Sequence, residues 1–136
     1  MKKIALIMML IMSLFLISCS GSNTNEAGTN EERTVMTITP EEAKKQLNEN
    51  SEIILLDVRT QLEYDAEHIE GTTLVPLDDI SEKASEIIPD QEKVYYVYCR
   101  SGNRSATAAQ LLVDMGYENV YDLGGIIDWP YDTVTE

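Results

Sequence analysis

The chain has 136 residues, 43% of them hydrophobic, with 24 acidic against 10 basic side chains and a formal net charge of -14. That length holds one domain with a modest core rather than two. The excess of negative charge repels phosphate backbones and argues against nucleic acid as a partner, so an anionic substrate must be drawn by local charge.

Met1-Lys2-Lys3 is a short basic start, and residues 4–17 form an apolar run broken only by Ser13. A membrane span needs about 20 such residues, so the run fits the apolar region of a signal segment better. It ends in Leu16-Ile17-Ser18-Cys19, which resembles the lipobox of bacterial lipoproteins. That resemblance implies cleavage after Ser18 and a diacylglyceryl group on the Cys19 thiol, whose acyl chains anchor the protein to the outside of a cell membrane. The expected organisation is a signal peptide at 1–18, a flexible tether at 19–33 and one folded domain at 34–136. The tether is rich in Ser, Asn, Thr, Gly and Glu and has little apolar surface to offset its ordering. With Cys19 lipidated, Cys99 is the sole remaining thiol, which points to reactivity rather than to a disulfide.

From residue 34 onward, strand-like and helix-like segments alternate. Residues 35–38 read as a short strand. Thr39-Pro40-Glu41-Glu42 begins a helix that runs to about Leu47, with Thr as the cap, Pro at the first helical position and acids in the first turn. The apolar run 53–56 suits a strand buried on both faces. Thr60 caps a helical stretch to about Ala66, and 73–75 is a brief strand closed by Pro76. Ile80, Ala84, Ile87 and Ile88 repeat at helical spacing. Residues 94–98, β-branched or aromatic throughout, form the next strand. Ala108, Leu111, Leu112 and Met115 share one face of a helix over 105–115, with Gly116 as its C-terminal cap. A last strand at 120–123 leads through Gly124-Gly125 into a short helical turn before Trp129. This alternation predicts an α/β domain, a mostly parallel five-stranded sheet with helices on both faces.

The segment Cys99-Arg100-Ser101-Gly102-Asn103-Arg104-Ser105 lies between a buried strand and a helix. Ligands of open α/β sheets bind at the carboxyl ends of strands. A loop entering a helix N-terminus turns backbone N–H groups inward, and the helix dipole adds partial positive charge. With Arg100 and Arg104 beside it, Cys99 is expected to ionise readily, and the thiolate is the nucleophile. Gly102 allows a positive φ, and Asn103 tolerates the same backbone region.

This loop resembles the active-site loop of rhodanese-like domains. Asp57-Val58-Arg59-Thr60, Tyr64 and His68-Ile69-Glu70-Gly71 upstream, and Gly116-Tyr117, Leu123-Gly124-Gly125-Ile126 and Trp129 downstream, resemble further blocks of the same family in the same order. The resemblance covers residues 34–132. It implies a rhodanese-like fold and sulfur transfer: Cys99 takes the outer sulfur of a small anionic donor such as thiosulfate, holds it as a persulfide, and yields it to a thiol or, in an assay, to cyanide. Arg100, Ser101, Gly102, Asn103 and Arg104 would bind the donor and the sulfur anion, with Asp57 and Arg59 as supporting residues. No cofactor and no metal is expected, since a lone His68 and one free thiol make poor metal ligands. His68 and Trp129 read as structural, and the tyrosines at 95, 96 and 98 as strand packing. Two other readings stand beside this one. A non-catalytic binding module would use the same fold without the chemistry. A phosphatase or arsenate reductase would need Cys-x5-Arg, where this chain has Cys-x4-Arg.

Overall fold

The computed structural model describes residues 33–136. The expected signal segment 1–18, the lipidation site Cys19 and all but the last residue of the tether lie outside the described residues. Within them the order is β1 (Met36–Thr37), α1 (Pro40–Glu49), β2 (Ile54–Asp57), α2 (Gln61–Ala66), β3 (Thr73–Leu74), α3 (Ile80–Ile87), β4 (Val94–Cys99), α4 (Asn103–Asp114) and β5 (Asn119–Gly125), with 3-10 turns at Leu77–Asp79 and Ile126–Asp128. The five strands form one sheet in the order β1-β5-β4-β2-β3, and every pairing is parallel.

Local chemistry sets the helix starts. The Thr39 hydroxyl accepts the Glu42 N–H at 3.3 Å, with Pro40 at the first helical position. Thr60 and Glu63 form a reciprocal capping box at the head of α2. In β4 the side chains alternate between two cores. Tyr95, Val97 and Cys99 face α3 and α4, beside Ile80, Ala84, Ala108 and Leu112. Tyr96 and Tyr98 face the other side, with Ala43 of α1, Leu55, Leu123 and Trp129. Helices therefore cover both faces, and the central strands are apolar on both, as the continuous run in β2 predicts.

Several boundaries differ from the sequence reading by a residue or two, and two of them bear on the site. Helix α4 begins at Asn103, not Ser105, because Gly102 takes φ 101° and turns the chain directly into the helix. Asn103 is thus a first-turn helical residue; among the described residues only glycines have positive φ. Strand β5 runs on to Gly125 because it stays paired with β4 to the end, Gly124 opposite Tyr98 and Gly125 opposite Cys99, after a register shift between Val97 and Tyr98.

Candidate active site

Cys99 ends the central strand, and its level is set by parallel pairing that puts Asp57 of β2 opposite Tyr98. The residue is 1% exposed. Three residues on, Gly102 turns its N–H back onto the sulfur, 3.0 Å from Sγ. Burial pushes the Cys99 thiol up, but the backbone N–H groups of Ser105, Gly102 and Ser101 and the Ser105 hydroxyl outweigh it and hold the thiol below its ordinary value. The loop has the electrostatics of an anion cradle, with donors aimed at one buried sulfur.

The loop is braced from below and from the side. The Arg100 carbonyl accepts the Ile127 N–H at 3.2 Å. Gly125 lies so close beneath that a Cβ there would sit 2.5 Å from the Arg100 oxygen and 2.7 Å from the Ser101 Cα. Laterally, both guanidinium nitrogens of Arg104 grip Glu63 of α2, Nη1 to Oε2 at 2.8 Å and Nη2 to Oε1 at 2.7 Å. This contact with Arg104 is the main reason the Glu63 carboxyl is lowered to about 2, against partial burial and with help from the Thr60 cap. Arg100, Ser101 and Asn103 are exposed at the mouth, while Gly102 and Arg104 are half-buried.

Asp57 and Arg59 form a buried pair one strand away. Arg59 Nε donates to Oδ1 at 2.9 Å and Nη2 to Oδ2 at 2.6 Å; Nη2 also reaches the Glu67 carbonyl at 2.5 Å. The guanidinium lies over the Tyr98 ring at 5.6 Å. The pair fixes the segment between β2 and α2, which carries Glu63. His68 stacks on Tyr64 at 3.8 Å, and its Nδ1 bonds the Tyr64 carbonyl at 2.8 Å. Trp129 is buried against Tyr131.

The structure thus brings Ser101, Gly102 and Ser105 onto the Cys99 sulfur and sets Arg104 near it, leaves Arg100 and Asn103 exposed on the same loop, and places Asp57 and Arg59 as a neighbouring brace. It turns Arg104 toward Glu63 rather than leaving it free over the loop. Sequence reasoning does not single out Glu63, or the roles of Gly125, Ser105 and Asp122. The only local signal for Glu63 is its place in a capping box. The Ser105 hydroxyl lies 2.6 Å from Asp122 Oδ1 and 2.9 Å from the Gly102 carbonyl. A cavity of about 670 Å³ lies elsewhere, between α1, the start of β2 and residues 129–134, and no residue of the loop lines it. Among the described residues no group of three or more His, Cys, Asp or Glu side chains is placed to hold a metal.

Residues 39–130 match the rhodanese-like domain family. The thiosulfate sulfurtransferase PspE of Escherichia coli is 36% identical over 73 residues, which cover 54% of this chain and 70% of PspE. The probable adenylyltransferase/sulfurtransferase MoeZ of Mycobacterium tuberculosis is 34% identical over 94 residues, 68% of this chain but only 24% of MoeZ. A solved rhodanese from E. coli, described with anions, superposes with a TM-score of 0.58 at 32% identity, covering 62% of this chain and 99% of that one.

Proposed function

The chain belongs to the rhodanese-like domain family, and from that premise we propose that it is a sulfurtransferase working through a persulfide on Cys99. The observation that carries this is the buried Cys99 sulfur at a strand end, with the Gly102 N–H on it at 3.0 Å and a helix N-terminus behind it. The name thiosulfate sulfurtransferase, borne by PspE, gives the donor class its support.

The Cys99 thiolate attacks the outer sulfur of thiosulfate. A bond forms between Sγ and that sulfur, the S–S bond of thiosulfate breaks, and its electron pair leaves with sulfite. The product is an anionic persulfide, which the loop N–H groups hold as they hold the thiolate. A thiolate acceptor, or cyanide in an assay, then attacks the outer sulfur and restores the Cys99 thiolate. Arg100, exposed at the mouth, draws the anionic donor. Arg104 contributes positive charge beside the sulfur, balanced by Glu63.

We also propose that 1–18 is a lipoprotein signal, that the lipid on Cys19 places the domain on the outer side of a cell membrane, and that 19–33 is its tether. A globomycin-sensitive change in apparent mass tests this. The catalytic reading is tested by incubation with thiosulfate followed by intact mass. One added sulfur atom, lost in Cys99→Ala and released as thiocyanate by cyanide, is the expected result. Absence of both adduct and thiocyanate overturns sulfur transfer and leaves the binding-module reading.

A further inference from the structure

Ser105 is fully buried in the first turn of α4 and has one hydroxyl proton. Two acceptors hold that hydroxyl, and a third lies nearby. Asp122 Oδ1, from β5, is at 2.6 Å and the Gly102 carbonyl at 2.9 Å. The third is the Cys99 sulfur, whose ionised form the Ser105 N–H and hydroxyl favour, and which already accepts the N–H of Gly102, the residue whose carbonyl holds the hydroxyl. The Gly102 carbonyl already receives the Ala106 N–H of the helix, at 3.1 Å. The real competitors for the proton are therefore a carboxylate and a thiolate. Bonds to ionised acceptors are short and strong, and 2.6 Å is the length expected when the hydroxyl points at Asp122. The carboxylate is itself held in place, since Oδ1 also accepts the Gly124 N–H at 2.9 Å.

We propose that Asp122 is a positioning residue for Cys99 that acts through Ser105. It competes with the Cys99 thiolate for the single hydroxyl proton and so sets how strongly that hydroxyl stabilises the sulfur anion. When Cys99 is a thiol, Ser105 donates to Asp122 and offers its lone pairs to the S–H. When Cys99 ionises, the hydroxyl must leave the carboxylate to serve the sulfur. Asp122 thereby tempers the thiolate that the loop N–H groups favour. The other charged groups around the sulfur are Arg100 and Arg104 from its own loop and helix, and the Asp57–Arg59 pair from the end of β2. The inference rests on Cys99 as the reactive thiol, but not on the identity of the donor.

The test is the pH profile of iodoacetamide alkylation, read on the Cys99 peptide of the full chain. It is run on the wild type, Asp122→Asn, Ser105→Ala and the double variant. A neutral acceptor at 122 competes less for the proton, so Asp122→Asn alkylates about threefold faster below the midpoint, the scale of a modest hydrogen-bond gain. In the Ser105→Ala background the same substitution has little further effect. An equal shift in both backgrounds marks simple through-space charge and overturns the proposal, as does no shift at all in the Ser105 background. If Asp122→Asn loses its near-ultraviolet dichroism, Asp122→Glu replaces it, keeping the charge but displacing the oxygen. A midpoint moved only when Ser105 is present supports the proposal, and an unmoved one overturns it. Failure of the thiosulfate mass shift would refute sulfur transfer separately, because alkylation needs no donor.

Discussion

Gly125→Ala tests how tightly the loop is fixed. Gly125 has φ -107° and ψ 141°, which alanine adopts freely, so the substitution adds no backbone strain of its own. The whole effect falls on the new methyl. It would lie 2.5 Å from the Arg100 oxygen, 2.7 Å from the Ser101 Cα and 3.0 Å from the Arg100 carbonyl carbon, all of them backbone atoms. Ordinary contact begins at 3.4 Å. The loop must therefore retreat by about 1 Å, a displacement that costs reactions of aligned groups on the order of a hundredfold. Overpacking of this kind costs about 1–3 kcal/mol of stability. The neighbouring Gly124→Ala is the control. No atom lies within 4 Å of its added methyl, but φ is +88°, so it loses about 1–2 kcal/mol to strain and leaves the loop alone. Persulfide formation followed by intact mass, with melting curves, separates the two. Gly125→Ala loads sulfur about a hundredfold more slowly while folded; Gly124→Ala melts earlier but loads normally below its melting point. A Gly125→Ala protein that loads as fast as the wild type refutes the argument.

Two other outcomes follow from the same contacts. Because Arg104 holds the Glu63 carboxyl at about 2, below its ordinary 4.5, the pair stabilises the fold fully above that ordinary value and loses its effect as the pH falls toward about 2. Glu63→Gln should thus lower stability by about 1 kcal/mol at neutral pH, a value limited by partial exposure, and the gap in melting temperature should close in acid. A gap independent of pH would show that the ion pair is not its source. Tyr98→Phe removes the hydroxyl that accepts the buried Ile69 N–H at 3.2 Å and reaches the Thr72 hydroxyl at 3.3 Å. The stranded N–H costs about 1–3 kcal/mol, read as a lower urea midpoint with an unchanged slope.

Much of the fold is written locally. Thr39-Pro40 and the Thr60–Glu63 box mark two helix starts, and the unbroken apolar runs mark β2 and β4, two of the three inner strands. The position of Cys99 between strand and helix, and the need for a glycine at 102, are equally local. What escapes sequence reasoning is the set of contacts made by register. Glu63 meets Arg104 across 41 residues, and Asp122 meets Ser105 across 17. Gly125 comes beneath Arg100 only because β5 stays paired with β4 past the shift at Val97 and Tyr98. No local propensity encodes those distances. The start of α4 is a smaller case: periodicity of the apolar face places it at Ser105, but the turn at Gly102 admits two more residues into the helix.

The near-complete burial of Cys99 has a consequence for what the outside world meets. A nucleophile sunk beneath its own loop admits only the slim end of a donor and stays out of reach of broad oxidants and bulky thiols. In the proposed persulfide the outer sulfur lies one S–S bond beyond the buried Sγ. On that reading the empty domain is shielded and the loaded one presents the atom to be delivered, with the cargo itself acting as the gate.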